Sequence, residues 1–240
     1  GTHPAPVDES ALGWLSEGHA TLPEELGYFL ADSWRMHPDL CASVSRLSYD
    51  GKLLSAPAAS TRHLEGKAPG VETIFVAQSP DSGKANVQSS AEEAGEVVAQ
   101  AKAHLGLRWT SGDGETPRPL AQEDILVVAA YNAQVNLVRG ALDAAGLTGV
   151  KVGTVDKFQG QEAPVVLVTM ACADPTGAPR GMEFLLNRNR INVAVSRGQW
   201  RAVIIRSPEL SSFMPSKPSG MAELGAFIGL CNGQSPSYRR

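Results

Sequence analysis

The sequence predicts an α/β protein with a mainly parallel sheet and helices on both faces. Short runs rich in β-branched residues are apolar almost throughout, which is typical of strands that are covered on both faces. The segments between them show the apolar periodicity and the capping residues of amphipathic helices. Strands and helices alternate, and this order favours parallel strands joined by right-handed crossovers.

The predicted elements follow from these patterns. Four clear strands and one weaker strand are predicted, the clear ones at 73–77, 125–129, 165–170 and 202–206 and the weaker one at 151–155. Helices are predicted at 39–49, 90–105, 132–145 and 187–197. In the third helix one face is predicted to hold most of the apolar side chains, namely Val135, Leu137, Val138, Leu142 and Ala145. Polar loops are predicted at 110–119 and 171–181. The second follows the end of a predicted strand and is the better candidate for a ligand site, because ligands gather at the carboxyl ends of parallel strands.

Composition limits the class of protein. The chain has 240 residues, of which 42% are hydrophobic and 19% charged, so it is globular and not disordered. Its net charge of −4 argues against a protein that only coats nucleic acid. The charges are uneven, however, because residues 1–34 hold six acids and no Lys or Arg, whereas residues 180–206 hold six arginines and one acid. This asymmetry predicts a surface with one anion-facing side, with a solvated helix face as the alternative.

Several kinds of site are not expected. Cys41, Cys172 and Cys231 lie far apart, which excludes a disulfide framework and a zinc ribbon and favours a reducing, cytoplasmic location. The histidines have no metal-like spacing, so no metal site is predicted. There is no run of 18 apolar residues, so no membrane partner is expected. The chain starts without methionine, and we expect it to be a piece of a longer protein.

No nucleotide-binding glycine loop is complete in this sequence. Ser82-Gly83-Lys84 resembles the end of G-x-x-x-x-G-K-[ST], but Gln78 and Ala85 occupy two of the positions that this pattern fixes. No G-x-G-x-x-G is present either, which disfavours a free-standing small-molecule α/β enzyme, since such an enzyme would need a glycine-rich first turn.

Three polar segments carry the candidate chemistry. Arg35 lies in SWRMHP (33–38), where an ordinary surface or capping arginine is the alternative. In VGTVDKFQGQE (152–162), glycines permit close backbone approach and Thr154 offers a hydroxyl to a phosphate, and an ordinary glycine-rich loop is the alternative. In LNRNRINVAVSRG (186–198), Arg190 and Arg197 are two helical turns apart on one face, where they suit a phosphate or, alternatively, surface salt bridges.

In chain order, WRMHP (34–38), VAAYNAQV (128–135), GTVDKFQGQE (153–162) and RINVAVSRG (190–198) resemble the motifs of the second RecA-like domain of superfamily 1B helicases. The family patterns are YRMHP, PYxxQ, VDxFQGxE and RLNVAxTR. This sequence departs from them with Trp34 for tyrosine, Ala130 for proline and Ser196 for threonine. Residues 71–231 and the segment before them also resemble the carboxyl end of bacterial proteins that join a RecB-like nuclease to such a helicase.

The resemblance implies roles for individual residues. Arg35 and Arg190 are implied as catalytic arginines that reach the γ-phosphate of ATP. The implied nucleotide contacts and supports are Gly160, Gln161, Glu162 and Arg197. The implied contacts with single-stranded nucleic acid, for which DNA is favoured and RNA is the alternative, are Tyr131, Asn132, Gln134, Thr154 and Val155. The implied cofactor is ATP with Mg²⁺, held mainly by a preceding RecA-like domain, and a fused nuclease domain is a further implied partner.

The domain prediction follows from the same resemblance. Residues 1–33 are expected to form an irregular acidic lead-in, residues 34–231 the second RecA-like domain, and residues 232–240 a flexible tail. The resemblance implies the carboxyl-terminal motor domain of an ATP-dependent helicase or translocase, which is inactive without its first motor domain. The alternative is a non-catalytic module that keeps the fold and docks nucleic acid or a protein.

Overall fold

A five-stranded parallel sheet forms the centre of the molecule. The computed structural model describes residues 28–78, 88–171, 181–212 and 214–232, with nothing said of the side chains of residues 181 and 183. The strands in this part of the chain are β1 (Asp32–Ser33), β2 (Leu54–Ser55), β3 (His63–Leu64), β4 (Gly70–Phe75), β5 (Arg108–Thr110), β6 (Arg118–Pro119), β7 (Ile125–Ala129), β8 (Lys151–Gly153), β9 (Ala163–Thr169) and β10 (Gly198–Arg206). The central sheet has the order β4-β10-β9-β7-β8, and every neighbouring pair is parallel.

Helices connect these strands. They are α1 (Pro38–Ser48), α2 (Ala91–His104), α3 (Asn132–Ala144), α4 (Gly181–Leu185), α5 (Arg188–Val195) and α6 (Pro218–Cys231), with 3₁₀ turns at Pro57–Thr61, Gln122–Asp124, Val155–Phe158 and Pro208–Ser211. Two small sheets lie beside the central one: β1 pairs with β2 in parallel, and β3, β5 and β6 form an antiparallel sheet. In the described residues no helix is long and apolar enough to cross a membrane.

Both faces of the central sheet are buried, which confirms the predicted fold class. Helices α2 and α3 cover one face, where Val97 and Val138 pack in one cluster with Val127 of β7. Helices α1, α5 and α6 cover the other, where Leu40 packs in a second cluster with Val128. Successive residues of a strand point to opposite faces, so a strand covered on both faces is buried at every position and is mostly apolar. β7 and β9 are buried throughout and agree with this pattern.

Helix termini follow the capping residues of the sequence. The Ser90 side chain accepts a hydrogen bond from the Glu93 amide at the start of α2, and the Asn187 side chain accepts one from the Arg190 amide at the start of α5. Gly146 has φ +76°, a left-handed conformation that favours glycine, and it follows the end of α3. These local signals explain why the predicted helix bounds are correct to within two residues.

Other expectations differ from the structure. Leu137 was predicted on the apolar face of α3, but it is 37% exposed because the buried contacts there are made by Val138 and Leu142. The predicted loop 110–119 contains the end of β5 and all of β6, which are too short to show a pattern. β1 precedes residue 34, so regular structure begins inside the predicted lead-in. Residues 1–27, most of the loop 171–181 and most of the tail 232–240 lie outside the described part of the chain.

Candidate functional site

Arg35 meets two segments that are distant in the sequence. Its Nε donates a hydrogen bond of 2.6 Å to Oε2 of Glu162, and its Nη1 donates one of 3.0 Å to the carbonyl oxygen of Ser196. Glu162 directly precedes β9, and Ser196 lies just before β10. Because β9 and β10 are parallel neighbours, their first residues lie at the same edge of the sheet. We call this place, where the segments before β9 and β10 meet the 33–36 loop, the amino edge.

The loop that carries Arg35 is fixed by backbone hydrogen bonds on both sides. The Ala56 amide donates to the Ser33 carbonyl oxygen at 2.9 Å, and the His37 amide donates to the Gln199 carbonyl oxygen at 2.7 Å. His37 also begins α1, since its Nδ1 accepts a hydrogen bond of 3.3 Å from the Asp39 amide. Burial lowers the pKa of His37 below its ordinary value, and the Arg62 charge adds to this against the opposing effect of Asp39. A neutral imidazole in this place suits the role of a helix cap.

Glu162 is surrounded by cationic and amide groups. Its Oε1 accepts a hydrogen bond of 2.8 Å from Nε2 of Gln199, while Oε2 accepts from Arg35. Burial by itself raises the pKa of Glu162, but the hydrogen bonds from Arg35 and Gln199 and the charges of Arg35 and Arg62 outweigh it, so the pKa lies below its ordinary value. The Glu162 carboxylate is therefore under the influence of two guanidinium groups, those of Arg35 and Arg62.

Arg197 adds a further cation at this edge. Burial lowers the pKa of Arg197, and the nearby charge of Arg35 lowers it more. The buried Nε atoms of Arg62 and Arg197 have no hydrogen-bond partner among the described residues. An open cleft of about 470 Å³ lies at this edge, lined by Asp32, Ser33, Trp34, Arg35, Met36, Val44, Tyr49, Leu53, Glu162 and Ser196. Arg35 is the arginine in this lining, and an arginine at an open cleft suits an anionic ligand such as a phosphate.

The other predicted residues lie at the opposite edge of the sheet. Tyr131 and Asn132 follow the last residue of β7, and Thr154 and Val155 follow the last residue of β8. We call this place the carboxyl edge. Asn132 is exposed, and Thr154 and Val155 are half-buried. Tyr131 is only 7% exposed, and its ring stacks on Phe184 with 6.0 Å between centroids.

The structure places Arg190 at the carboxyl edge and not beside Arg35. Its guanidinium lies 4.3 Å from the centroid of the Phe184 ring, and Nη2 is 3.9 Å from Oδ2 of Asp156. It lines an apolar pocket together with Ala130, at the end of β7, and Thr169, at the end of β9. The seven residues of β9 span roughly 20 Å, so Arg35 and Arg190 lie at opposite ends of the sheet. The predicted pairing of Arg35 with Arg190 at one phosphate does not fit this placement, whereas Arg197 lies near Arg35.

Gln134 is buried inside the framework of the carboxyl edge. It is 0% exposed, its Oε1 accepts from the Ser90 amide at 2.8 Å, and its Nε2 donates to the Ser90 carbonyl oxygen and to Oγ1 of Thr169. Oγ1 of Thr169 donates to Oε2 of Glu93 at 2.6 Å, and the Ala171 amide donates to the same oxygen at 2.8 Å. The predicted contact of Gln134 with nucleic acid does not fit this burial. We call Ser90, Glu93, Gln134 and Thr169 the buried polar cluster.

Gly160 and Gln161 form the turn that leads to Glu162. Gly160 has φ +80°, and the Gln161 amide donates to the Phe158 carbonyl oxygen at 3.0 Å. Glycine is favoured in this left-handed conformation because a side chain would be strained there. Sequence reasoning missed Arg62 and Gln199, which contact the Arg35 loop and Glu162. No local pattern marks either residue, because their partners are 27 and 37 positions away.

Comparisons with known proteins show similarity to helicases and other proteins that act on nucleic acids. The profile of one protein family, described as an AAA domain, matches residues 8–209. The 3'-5' exoribonuclease HELZ2 of Homo sapiens is 32% identical over 198 residues, which cover 73% of this chain and 6% of that protein. DNA polymerase alpha-associated DNA helicase A of Schizosaccharomyces pombe is 28% identical, with 74% of this chain and 27% of that protein covered. DNA-binding protein SMUBP-2 of Rattus norvegicus is 28% identical, with 84% and 20% covered.

The chain therefore spans between 6% and 27% of the length of these three relatives. The shared region covers the amino edge and the carboxyl edge, since the matched residues 8–209 contain every residue described above at either edge.

Proposed function

Because this chain belongs to the AAA domain family that its residues 8–209 match, and is a superfamily 1 helicase domain, we propose that it is the second motor domain of an ATP-dependent helicase or translocase. In this proposal the amino edge completes an ATP site that a preceding RecA-like domain begins. The carboxyl edge forms half of the track for a single strand of nucleic acid. The domain alone hydrolyses no ATP, because it has no phosphate-cradling lysine loop of its own.

One observation carries this proposal: the contact of Arg35 with Glu162 and Ser196 across 127 and 161 positions of sequence. At the cleft, a carboxylate holds Arg35, and an anionic ligand is able to displace that carboxylate. A module that only docks nucleic acid or a protein does not need such an arrangement. The side chains of Arg35 and Glu162 are 31% and 41% exposed, so both are accessible from the cleft. An exposed ion pair is worth about 1 kcal/mol or less in stability, which favours a role other than holding the fold together.

The residues of the amino edge fit a nucleoside triphosphate. Arg35 lines the open cleft, and Arg197 places a second cation near Arg35. Glu162 has the chemistry to accept hydrogen bonds from ribose hydroxyls. For Mg²⁺ the fit is different, since no group of three or more His, Cys, Asp or Glu side chains that suits a metal occurs among the described residues. In this proposal Mg²⁺ is held mainly by the preceding RecA-like domain.

The chain's own contribution to hydrolysis is electrostatic. Negative charge spreads over the oxygens of the γ-phosphoryl group as its bond to ADP breaks and water attacks. A guanidinium that is already oriented stabilises this charge without reorganisation at the moment of reaction. Arg35 and Arg197 are the arginines placed to act in this way, and Arg35 exchanges its Glu162 partner for the phosphate when the two motor domains close.

At the carboxyl edge, Asn132 and Thr154 are the accessible candidates for contacts with a single strand. Arg190 belongs to this edge and offers a cation to a backbone phosphate. DNA is the proposed strand, because two of the relatives are a DNA helicase and a DNA-binding protein by name. Binding is expected to weaken as salt rises, since phosphate contacts dominate and base readout is absent.

The test is ATP hydrolysis by the full-length protein that carries this chain, with and without single-stranded DNA or RNA. We expect Arg35→Ala and Arg197→Ala each to lower the strand-stimulated kcat by about 100-fold or more. Arg190→Ala is expected to leave the maximal kcat within about threefold and to raise the DNA concentration needed for half-maximal stimulation. The exposed Arg108→Ala serves as the matched control. Wild-type hydrolysis by Arg35→Ala would instead favour the docking module.

A further inference from the structure

Arg62 holds the backbone of the residue proposed to reach the phosphate. Its Nη1 donates hydrogen bonds of 3.1 Å to the Trp34 carbonyl oxygen and 2.6 Å to the Arg35 carbonyl oxygen. These are charge-assisted bonds from a single nitrogen to two successive peptide groups, so they restrict the rotation of the Arg35 peptide. The side chain of Arg35 is held separately, at its far end, by Glu162. Hydrogen bonds thus fix both the backbone and the guanidinium of Arg35.

The segment that carries Arg62 is tied to the same loop at further points. Oγ of Ser55 donates to the Met36 carbonyl oxygen at 2.7 Å, and the Ala56 amide donates to the Ser33 carbonyl oxygen. The 3₁₀ turn Pro57–Thr61 follows, and Oγ1 of Thr61 accepts from the Asp113 amide at 2.9 Å. Arg62 therefore stands between the antiparallel sheet β3-β5-β6 and the 33–36 loop. Its position is set by structure on both sides.

The charge of Arg62 acts on the same site without joining an ion pair shorter than 4 Å among the described residues. Its guanidinium lowers the pKa of Glu162 together with Arg35, while burial lowers the pKa of Arg62 itself and Glu162 opposes that effect. His37 also faces it, and the Arg62 charge contributes to the lowered pKa of that imidazole. Arg62 thus helps to keep Glu162 ionised and able to hold Arg35.

We propose that Arg62 is a positioning residue that presets the Arg35 loop for phosphate contact. This inference rests on the proposed function of Arg35, and it assigns to Arg62 an effect transmitted through Arg35. Preorganisation of this kind is realised in the transition state more than in nucleotide binding, so it affects kcat more than KM. A lysine at position 62 keeps the charge and is able to donate to the same carbonyl oxygens, although without a planar guanidinium.

The first test measures ATP hydrolysis by the full-length protein with Arg62→Ala, Arg62→Lys, Arg35→Ala and the double variant Arg35→Ala/Arg62→Ala. We expect Arg62→Ala to lower kcat by about 10- to 30-fold with KM for ATP within about threefold, and Arg62→Lys to recover most of this loss. The double variant is expected to match Arg35→Ala alone, because Arg62 acts through Arg35. Multiplied losses in the double variant, or a KM for ATP raised tenfold by Arg62→Ala, would overturn the proposal.

The second test is independent of catalysis and uses this chain without nucleotide. Hydrogen exchange of the 33–37 amides is expected to speed up by about tenfold or more in Arg62→Ala and to stay within about threefold of wild type in Arg62→Lys. Arg118→Ala is the matched control, since Arg118 lies in the same antiparallel sheet but pairs with Asp124. Unchanged exchange in Arg62→Ala would refute the positioning role even if Arg35→Ala had already shown that the proposed function fails.

Discussion

Two glutamates of this domain lie in contrasting surroundings. Glu162, at the amino edge, is partly exposed and accepts hydrogen bonds from Arg35 and Gln199. Glu93, in the buried polar cluster at the carboxyl edge, is fully buried and accepts from the Thr169 hydroxyl and the Ala171 amide. Burial raises the pKa of each carboxyl group. Only Glu162 has cationic partners to reverse that effect.

The different pKa values of Glu93 and Glu162 indicate different roles for the buried polar cluster and the amino edge. Burial raises the pKa of Glu93 to about 7 despite hydrogen bonds from Thr169, Ala171 and Met170 that lower it, and the charge of Glu92 raises it further. Neutral donors thus offset only part of the cost of burying a charge. Glu93 links α2 to the end of β9 and serves the framework. Glu162 stays ionised and accessible, as a group that exchanges partners with a ligand has to be.

Substitution of each glutamate by alanine is expected to change the stability of the fold by different amounts, because Glu93 belongs to the framework and Glu162 to the candidate site. Glu93→Ala removes the acceptor of two buried donors and leaves a cavity, so we expect the free energy of unfolding to fall by about 2–4 kcal/mol. The matched Glu162→Ala removes an exposed ion pair and is expected to cost about 1 kcal/mol or less. Urea unfolding of the chain measures both. Equal losses of stability in the two variants would show that Glu93 and Glu162 contribute alike to the fold.

The pH dependence of stability sharpens the contrast. The folded-state pKa of Glu93 is about 7 against an ordinary value of 4.5, so between these values the folded chain keeps a proton that the unfolded chain releases. The free energy of unfolding therefore falls as pH rises from 4.5 to 7, by up to about 3 kcal/mol, and then levels off. Glu93→Gln is expected to remove this slope in thermal unfolding measured from pH 5 to pH 8.

The contribution of Glu162 to the pH dependence of stability has the opposite sign. Its lowered pKa contributes stability at pH values above the ordinary value of 4.5, and this contribution is lost as pH falls below that value. Glu162→Gln is the control for the pH experiment, and its slope between pH 5 and pH 8 is expected to match that of the wild type. A wild-type slope retained in Glu93→Gln would show that Glu93 is not the group that titrates.

The smallest differences in stability are expected for two residues in the first turn of α3, Asn132 and Gln134. Gln134→Ala leaves buried partners in Ser90 and Thr169 unsatisfied and is expected to lower the free energy of unfolding by about 1–3 kcal/mol. Asn132→Ala changes an exposed side chain, so its free energy of unfolding is expected to stay within about 0.5 kcal/mol of the wild-type value. Asn132→Ala should instead weaken binding of a single-stranded oligonucleotide, measured by fluorescence anisotropy. Weaker binding by a fully stable Gln134→Ala would restore Gln134 as a contact.

The sequence predicted the elements well where local physics decides them. The apolar run of β7 was placed correctly from end to end, and Ser90 was identified at the start of α2. The short strands β5 and β6 escaped prediction, because two or three residues show no periodicity and their stability comes from pairing with each other and with β3. The placement of Leu137 on the apolar face of α3 was wrong, because successive helical residues are turned by roughly 100° and Leu137 therefore points away from the direction of Val138 and is exposed.

For the candidate site, the sequence shows which residue types are available, whereas the folded arrangement of strands and helices sets which of them come into contact. Arg190 and Arg197 share one short sequence motif, but α5 runs back along the sheet and brings them to opposite edges. Gln134 and Asn132 are two positions apart, and only one of them is buried. Arg62 and Gln199 join Arg35 and Glu162 only after the chain folds. Spacing in sequence fixes the directions of side chains within one helix or strand, whereas contacts between elements depend on how the strands are ordered and which ends they place together.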